Sequence, residues 1–254
     1  MLHVERRGDG PDLALIHGWA MHGGVWRGVA EELKRDFRLH ILDLPGHGRS
    51  APLAGATLES VAAAVAEVIP DRAAVCGWSL GAQVAMRIVL DHPARVSRLI
   101  LVSGTPRFVR EGDWPFGVGR EVLEDFGKDL ELNYEGTLKR FLALQARGSD
   151  RARELIQALR AGLFERGRPG LETLKAGLRI LLAADLRGDV SRIARPALLI
   201  HGERDVLTPP AAGRWLSENL ADARIALLTG CAHAPFLSDP GTFTESVREF
   251  ILHG

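Results

Sequence analysis

The chain is 254 residues long, with 46% hydrophobic and 25% charged residues, the proportions of an ordinary soluble globular protein. That excludes a disordered tail, a collagen-like repeat and a disulfide-stapled miniature, and a chain of this length can bury a full core unaided. Its 32 basic and 32 acidic side chains cancel, so no overall field recruits nucleic acid or an acidic membrane, and neither is expected as a partner.

The segment Met1 to Arg7 meets charge at once and holds no apolar stretch of signal-peptide length. No apolar run reaches the roughly 18 residues that span a bilayer. Cys76 and Cys231 lie far apart, in no metal-ligand spacing, and read as small apolar side chains in a reducing compartment. A cytoplasmic monomer is expected.

Taken in chain order, Leu2 to Arg6 reads as an opening strand, paired through Gly8-Asp9-Gly10 with the strand entering Leu13. Buried strands follow at Leu13 to Ile16, Leu39 to Leu42, Ala73 to Cys76 and Leu99 to Val102. Helical patterns fill Gly24 to Leu33, Leu58 to Ile69 and Leu80 to Leu90 between them. From Arg107 to Ala183 the pattern is helical throughout with no convincing strand. The alternation then resumes with strands at Ala197 to Ile200 and Ile225 to Leu228, and helices at Pro210 to Leu220 and Thr242 to Leu252. Asp239-Pro240 suits the start of the last helix, because proline is tolerated in a first turn. Such alternation implies an α/β fold, a mostly parallel sheet with helices on both faces. Residues 1–106 and 184–254 form the expected core, and residues 107–183 an all-helical cap inserted between two strands.

Charge is uneven within that insert. Eight acidic residues lie between Glu111 and Glu135, and eight basic ones (Lys139, Arg140, Arg147, Arg151, Arg153, Arg160, Arg166, Arg168) between Lys139 and Arg168. The basic run is either a solvated face or a docking surface for an acidic partner.

The strongest chemical signal is Gly77-Trp78-Ser79-Leu80-Gly81, placed between a strand and a helix. G-x-S-x-G in that setting is a nucleophile elbow, a strained turn that lifts the serine oxygen above the sheet edge. A serine hydroxyl needs a base within reach and an acid to orient that base, and in this arrangement they follow in the order serine, acid, histidine. After Ser79 come His92, His201, His233 and His253. His233 sits in a loop directly after the final strand, at the same sheet edge as Ser79. His92 falls at the opposite edge, His201 within a strand and His253 at the end of the chain.

For the acid, Asp205 follows the strand Ala197 to Ile200 and opens at that edge too, with Glu203 a local rival and Asp185 a distant one. The oxyanion donors expected are the backbone N–H groups of Leu80 and of Trp19, in the loop His17-Gly18-Trp19-Ala20. Asp43 to Ser50 reads as a turn that scaffolds the site. No phosphate-cradling loop, zinc-protease motif or dinucleotide fingerprint is present, so neither cofactor nor metal is implied.

With Ser79, Asp205 and His233 in place, the chain resembles the α/β-hydrolase superfamily. The elbow, Arg140-Phe141-Leu142-Ala143-Leu144-Gln145, Ala232-His233-Ala234-Pro235-Phe236 and Trp114-Pro115 narrow the likeness to the biotin-pathway carboxylesterases that demethylate a carrier-bound pimeloyl ester. The resemblance implies a helical lid over an α/β-hydrolase core and substrate contacts from Trp19, Ser79, Leu80, Phe141, Leu142, Ala143, Leu144, Gln145 and His233. It further implies docking of an acidic acyl carrier protein on cap arginines, with Arg140, Arg147, Arg151 and Arg153 as candidates. Gly136 and Gln157 stand where such relatives carry further arginines, and Ala82 replaces a glycine. Phe141, Leu142 and Leu144, with Trp114 and Phe116, are expected to line a channel for a medium acyl chain. Hydrolases of other specificity, among them general carboxylesterases, thioesterases and carbon–carbon bond hydrolases, would use the same three residues. A non-catalytic binding module on this fold is the rival from another class.

Overall fold

A computed structural model describes all 254 residues. Seven strands form one sheet: β1 (Val4–Arg7), β2 (Asp12–Ile16), β3 (Arg38–Leu42), β4 (Ala73–Trp78), β5 (Val96–Val102), β8 (Ala197–Gly202) and β9 (Ala223–Leu228). Their spatial order is β1-β3-β2-β4-β5-β8-β9. All neighbours are parallel except β1 against β3.

The expected pairing of the first two strands through Gly8-Asp9-Gly10 is corrected, because β3 lies between them and takes β1 as its antiparallel partner, Val4 opposite Leu42. The two glycines serve a different purpose. Both have positive φ, and a side chain on Gly8 would fall 2.3 Å from the Lys34 carbonyl. The turn therefore crosses closely over the connection into β3 rather than closing a hairpin.

Each parallel crossover in the seven-stranded sheet contains helix, and right-handed crossovers sort the helices by direction of travel. Moving from β2 back to β3, α1 (Arg27–Leu33) covers one face, together with α10 (Pro240–Leu252). Moving the other way, α2 (Leu58–Ala66), α3 (Leu80–Asp91) and α8 (Pro210–Asn219) cover the opposite face. The sequence accounts for these starts and stops. Thr57 and Ser60 form a reciprocal capping box at the head of α2, and Asp239 accepts from the Thr242 N–H to open α10. The first turn of the segment expected as one helix from Gly24 is a tight 3-10 turn, Gly23–Trp26, because the Gly23 N–H is drawn to Asp43 Oδ1 at 2.7 Å. Buried side chains from β2 to β5, β8 and all the covering helices merge into one core.

Between β5 and β8 the chain makes α4 (Arg120–Leu132), α5 (Tyr134–Ala146), α6 (Ala152–Gly162) and α7 (Leu171–Ala183). It leaves and returns at one point, where Arg107 and Asp185 bridge and the Leu186 N–H donates to the Pro106 carbonyl at 2.9 Å. The expectation of helix alone is corrected by a two-residue parallel pair, β6 (Val109–Arg110) and β7 (Val118–Gly119). Gly117, at φ +91°, lets the two pass: a Cβ there would sit 2.2 Å from the Phe108 carbonyl.

Arg166, between α6 and α7, does not face solvent with the rest of the basic run. Its side chain is 8% exposed, and the guanidinium lies 3.2 Å from the fully buried Asp43 carboxylate, with Glu5 of β1 on its other side. Removing one member of such a buried pair leaves an uncompensated charge, at about 3–5 kcal/mol. We expect Arg166→Ala to lose about that much unfolding free energy, measured by chemical denaturation, whereas Arg160→Ala, on an exposed helix face, should cost less than about 0.5 kcal/mol.

Candidate active site

Ser79 joins β4 to α3 with φ +57° and ψ −116°, a conformation that an L residue adopts only under strain from its surroundings. Two absent side chains make it possible. A Cβ on Gly77 would lie 2.1 Å from the Gly81 carbonyl, and one on Gly81 would lie 2.4 Å from the Ile16 carbonyl at the end of β2. The Ser79 N–H is tied to the Val102 carbonyl of β5 at 3.0 Å. Nearly every side chain in the first half of α3, from Leu80 to Met86, is buried, so the elbow rests on a rigid helix rather than a mobile loop.

His233, five residues beyond the end of β9, is placed by its backbone. Its carbonyl accepts from the Trp78 indole at 2.7 Å, and its N–H donates to the Gln145 carbonyl at the free C-terminal turn of α5 at 3.1 Å. The imidazole then bridges two of the expected residues: Nε2 stands 2.9 Å from Ser79 Oγ, and Nδ1 stands 2.8 Å from Asp205 Oδ2. Asp205 is held by the Leu207 and Thr208 N–H groups on Oδ1, at 2.9 and 3.0 Å. Burial works to raise its pKa, but His233 and these donors outweigh it and hold the carboxyl below its ordinary range. With a carboxylate facing Nδ1, the ring proton belongs there, and Nε2 is free to accept the serine proton. Glu203 is exposed at the loop surface, and Asp185 pairs with Arg187 and Arg107. His92 caps the far end of α3, and His201 is buried within β8.

The loop after β2 packs on the elbow so closely that a Cβ on Gly18 would lie 3.2 Å from that of Ser79. The Trp19 N–H has no backbone acceptor, and Leu80 is the first residue of α3, where N–H groups lack intrahelical partners. Two open donors therefore flank the serine, the arrangement that stabilises a developing oxyanion. Of the α5 residues, Phe141 meets Trp19 edge-on at 4.7 Å between ring centroids. Gln145, one turn on, is 1% exposed, and neither atom of its amide has a protein partner. Leu142 is fully buried, and Ala143 and Leu144 are half-buried on neighbouring faces. Trp114 and Phe116 pack on each other, and Trp114 on Trp215 of α8.

Behind the oxyanion loop lie groups that sequence reasoning missed. His17 Nε2 accepts from the Leu44 N–H at 2.9 Å, which leaves Nδ1 to donate to the Gly18 carbonyl at 2.8 Å. Burial, reinforced by His47 at 5.3 Å, pushes its pKa down to about 3. Asp43, expected only as part of a scaffold turn, takes the N–H groups of Gly23 and Arg49 as well as Arg166. The signal available in the sequence was the placement of polar residues directly after buried strands, at the edge where Ser79 emerges.

An alpha/beta hydrolase fold family model matches residues 13–240. A protein of Nitrosomonas europaea named pimeloyl-[acyl-carrier protein] methyl ester esterase is 47% identical over 244 residues, which cover 96% of this chain and 97% of that one. A Chromobacterium violaceum protein of the same name is 44% identical, covering 98% of each. Among solved structures, an esterase of Exiguobacterium antarcticum superposes with a TM-score of 0.89 at 24% identity, over 98% of this chain and 94% of that one. The chain belongs to the α/β hydrolase fold family. Within that family, relatives matched over nearly the whole chain include proteins named pimeloyl-[acyl-carrier protein] methyl ester esterase.

His47 and His201 are also buried, and burial pushes each down to about 4. A histidine held neutral in the fold takes a proton on unfolding as soon as pH drops below about 6.5, so stability falls from there towards the folded-state values. Three such groups should give a slope approaching about 4 kcal/mol per pH unit between pH 6 and 4, at about 1.4 per group. Urea unfolding across that range measures it, and His47→Gln should flatten the slope by about a third.

Proposed function

We propose that the protein is a serine carboxylesterase that removes the methyl group of pimeloyl-[acyl-carrier protein] methyl ester, ending pimeloyl chain building for biotin in the cytoplasm. The observation that carries this reading is the unbroken relay Ser79–His233–Asp205, with both donor–acceptor distances inside hydrogen-bond range. The substrate is supported by the relatives that match nearly the whole chain, proteins named pimeloyl-[acyl-carrier protein] methyl ester esterase.

Ser79 Oγ attacks the ester carbonyl carbon while its proton passes to His233 Nε2. The new oxyanion is met by the Trp19 and Leu80 N–H groups, each such donor being worth about 2.7–4 kcal/mol of barrier. The imidazolium, stabilised by Asp205, returns the proton to the departing methoxide, and methanol leaves. Water activated by the same histidine then hydrolyses the acyl-enzyme. We assign the acyl chain to the apolar wall formed by Trp19 and Phe141. The buried, unpartnered amide of Gln145 supports a polar contact with substrate, because such a group otherwise costs about 1–3 kcal/mol.

Residues 107–183 act in this reading as the cap. Ion pairing narrows its docking face. Arg140 is held by Asp129, Arg166 and Arg168 are paired, and Arg151 donates to the Ser238 carbonyl. Arg147, Arg153 and Arg160 are exposed without a carboxylate partner, and the last two line one open groove with Ile156. That supports an acidic carrier docking beside α6.

Ser79→Ala should lower kcat by about 10⁶ while leaving the fold intact by circular dichroism; retained esterase turnover would remove the reading. Reversing Arg147, Arg153 and Arg160 to glutamate should raise KM for the carrier-linked ester at least tenfold and leave a free methyl ester unaffected. Equal losses on both substrates would place the carrier elsewhere.

A further inference from the structure

The acid of the relay has a second side-chain partner besides His233. Thr208 is fully buried, and its hydroxyl lies 2.8 Å from Asp205 Oδ2, 2.9 Å from the Ser103 carbonyl and 3.3 Å from His233 Nδ1. Its backbone N–H also donates to the other carboxylate oxygen, Oδ1, at 3.0 Å. One residue thus grips both oxygens of Asp205, and no other side chain besides His233 reaches Oδ2.

Three features make the hydroxyl a fixed point. Thr208 precedes Pro209, which confines its backbone to extended conformations. It is β-branched and therefore stiff at χ1. Its single proton is shared between Oδ2 and the carbonyl of Ser103, which stands directly after β5 at φ +45° and lies over Thr208. A non-glycine residue pays for such a conformation only where its surroundings enforce it. Its own N–H is anchored to Ile200 of β8 at 2.8 Å. The end of β5 and the loop after β8 are thereby joined through one hydroxyl, beside the atom that must face the imidazole.

We propose that Thr208 is a positioning residue for the hydrolysis, holding Asp205 Oδ2 on the His233 Nδ1–H so that Nε2 points at Ser79. Without the hydroxyl, Oδ2 keeps the imidazole as its sole side-chain partner, and the carboxylate is free to turn about the Oδ1 contacts. The function is carried through Asp205, and Thr208 touches neither substrate nor the reacting atoms. This inference rests on the Ser79–His233–Asp205 reading of the site.

The test compares Thr208→Val, Thr208→Ala and Thr208→Ser in the full-length protein with a soluble methyl ester. Labelling of wild-type Ser79 by a fluorophosphonate serves as a separate check on the relay itself; no labelling would sink the relay reading, whatever Thr208 does. Given labelling, kcat should fall about 10- to 100-fold in the valine and alanine variants, the loss of one hydrogen bond to a charged group. KM should stay unchanged, and serine should restore kcat to within about threefold of wild type. The low-field proton resonance of His233 Nδ1–H should shift in the valine variant and return in the serine one. A role in packing alone would lower the unfolding temperature while leaving that resonance and the kcat of folded enzyme in place. Valine and alanine variants with kcat within threefold of wild type, or a loss that serine does not repair, would overturn the proposal. If valine fails to fold, the alanine and serine pair decides the same question.

Discussion

The backbone of Ser79 is the constraint on which the site depends. A serine at φ +57° can persist only if strand β4 and helix α3 approach within the thickness of a backbone, and that approach removes the side chains at positions 77 and 81. The same closeness carries the carbonyl end of β2 against α3, which sets the loop of Gly18 and Trp19 beside the serine oxygen. Nucleophile and oxyanion donors are therefore placed by a single packing event. The strain is held by the buried first half of α3 and by the tie from Ser79 to β5.

The remaining parts are aligned by contacts between backbone groups and buried side chains. Trp78, inside the elbow, holds the loop of His233 by its carbonyl, and Gln145 of α5 holds it by its N–H. The residue that supplies the base is thus clamped between the core and the inserted helices. On the opposite side of the serine, Arg166 joins those helices to Asp43, Asp43 fixes the turn before α1 and the segment after β3, and Leu44 beside it engages His17. Both supports of the chemistry, the histidine loop and the oxyanion loop, therefore lean on residues 107–183. Pairing a buried carboxylate with an arginine contributes less to net stability than apolar packing would, so its value at this point lies in fixing geometry.

The sheet strands were legible because β2, β3, β4, β5 and β8 are buried on both faces and read as unbroken apolar runs between turn formers. The place of β1 was not, since the turn Gly8-Asp9-Gly10 has the composition of a hairpin whichever strand comes to lie beside it. The two-residue pair β6–β7 is too short to leave any periodicity. Ser79, His233 and Asp205 could be found from their positions after strands, because parallel strands all open at one edge. Arg166 could not, since its carboxylate partner lies 123 residues away, and although Thr208 stands three residues from Asp205, no local pattern marks its contact with Ser103, 105 residues away. The basic run shows the limit of counting charge: Arg166 and Arg153 are alike in sequence, yet one neutralises a buried carboxylate and the other stands open to solvent.

That division between paired and unpaired arginines bears on how one fold serves a particular substrate. The relay and its donors are properties of the elbow, and any ester whose carbonyl reaches Ser79 would meet the same groups, so the chemistry alone does not select. Selection has to come from elements outside the sheet, and α5 and α6 are such elements. They present Phe141 and Gln145 inward to the site and Arg153 and Arg160 outward to solvent. Under the function proposed above, a substrate tethered to an acidic carrier would touch both sides of this layer at once, its ester within and its carrier without. The helix that holds the His233 loop, α5, packs directly on α6, which carries the open arginines, so catalytic alignment and the charged outer face belong to one packed layer.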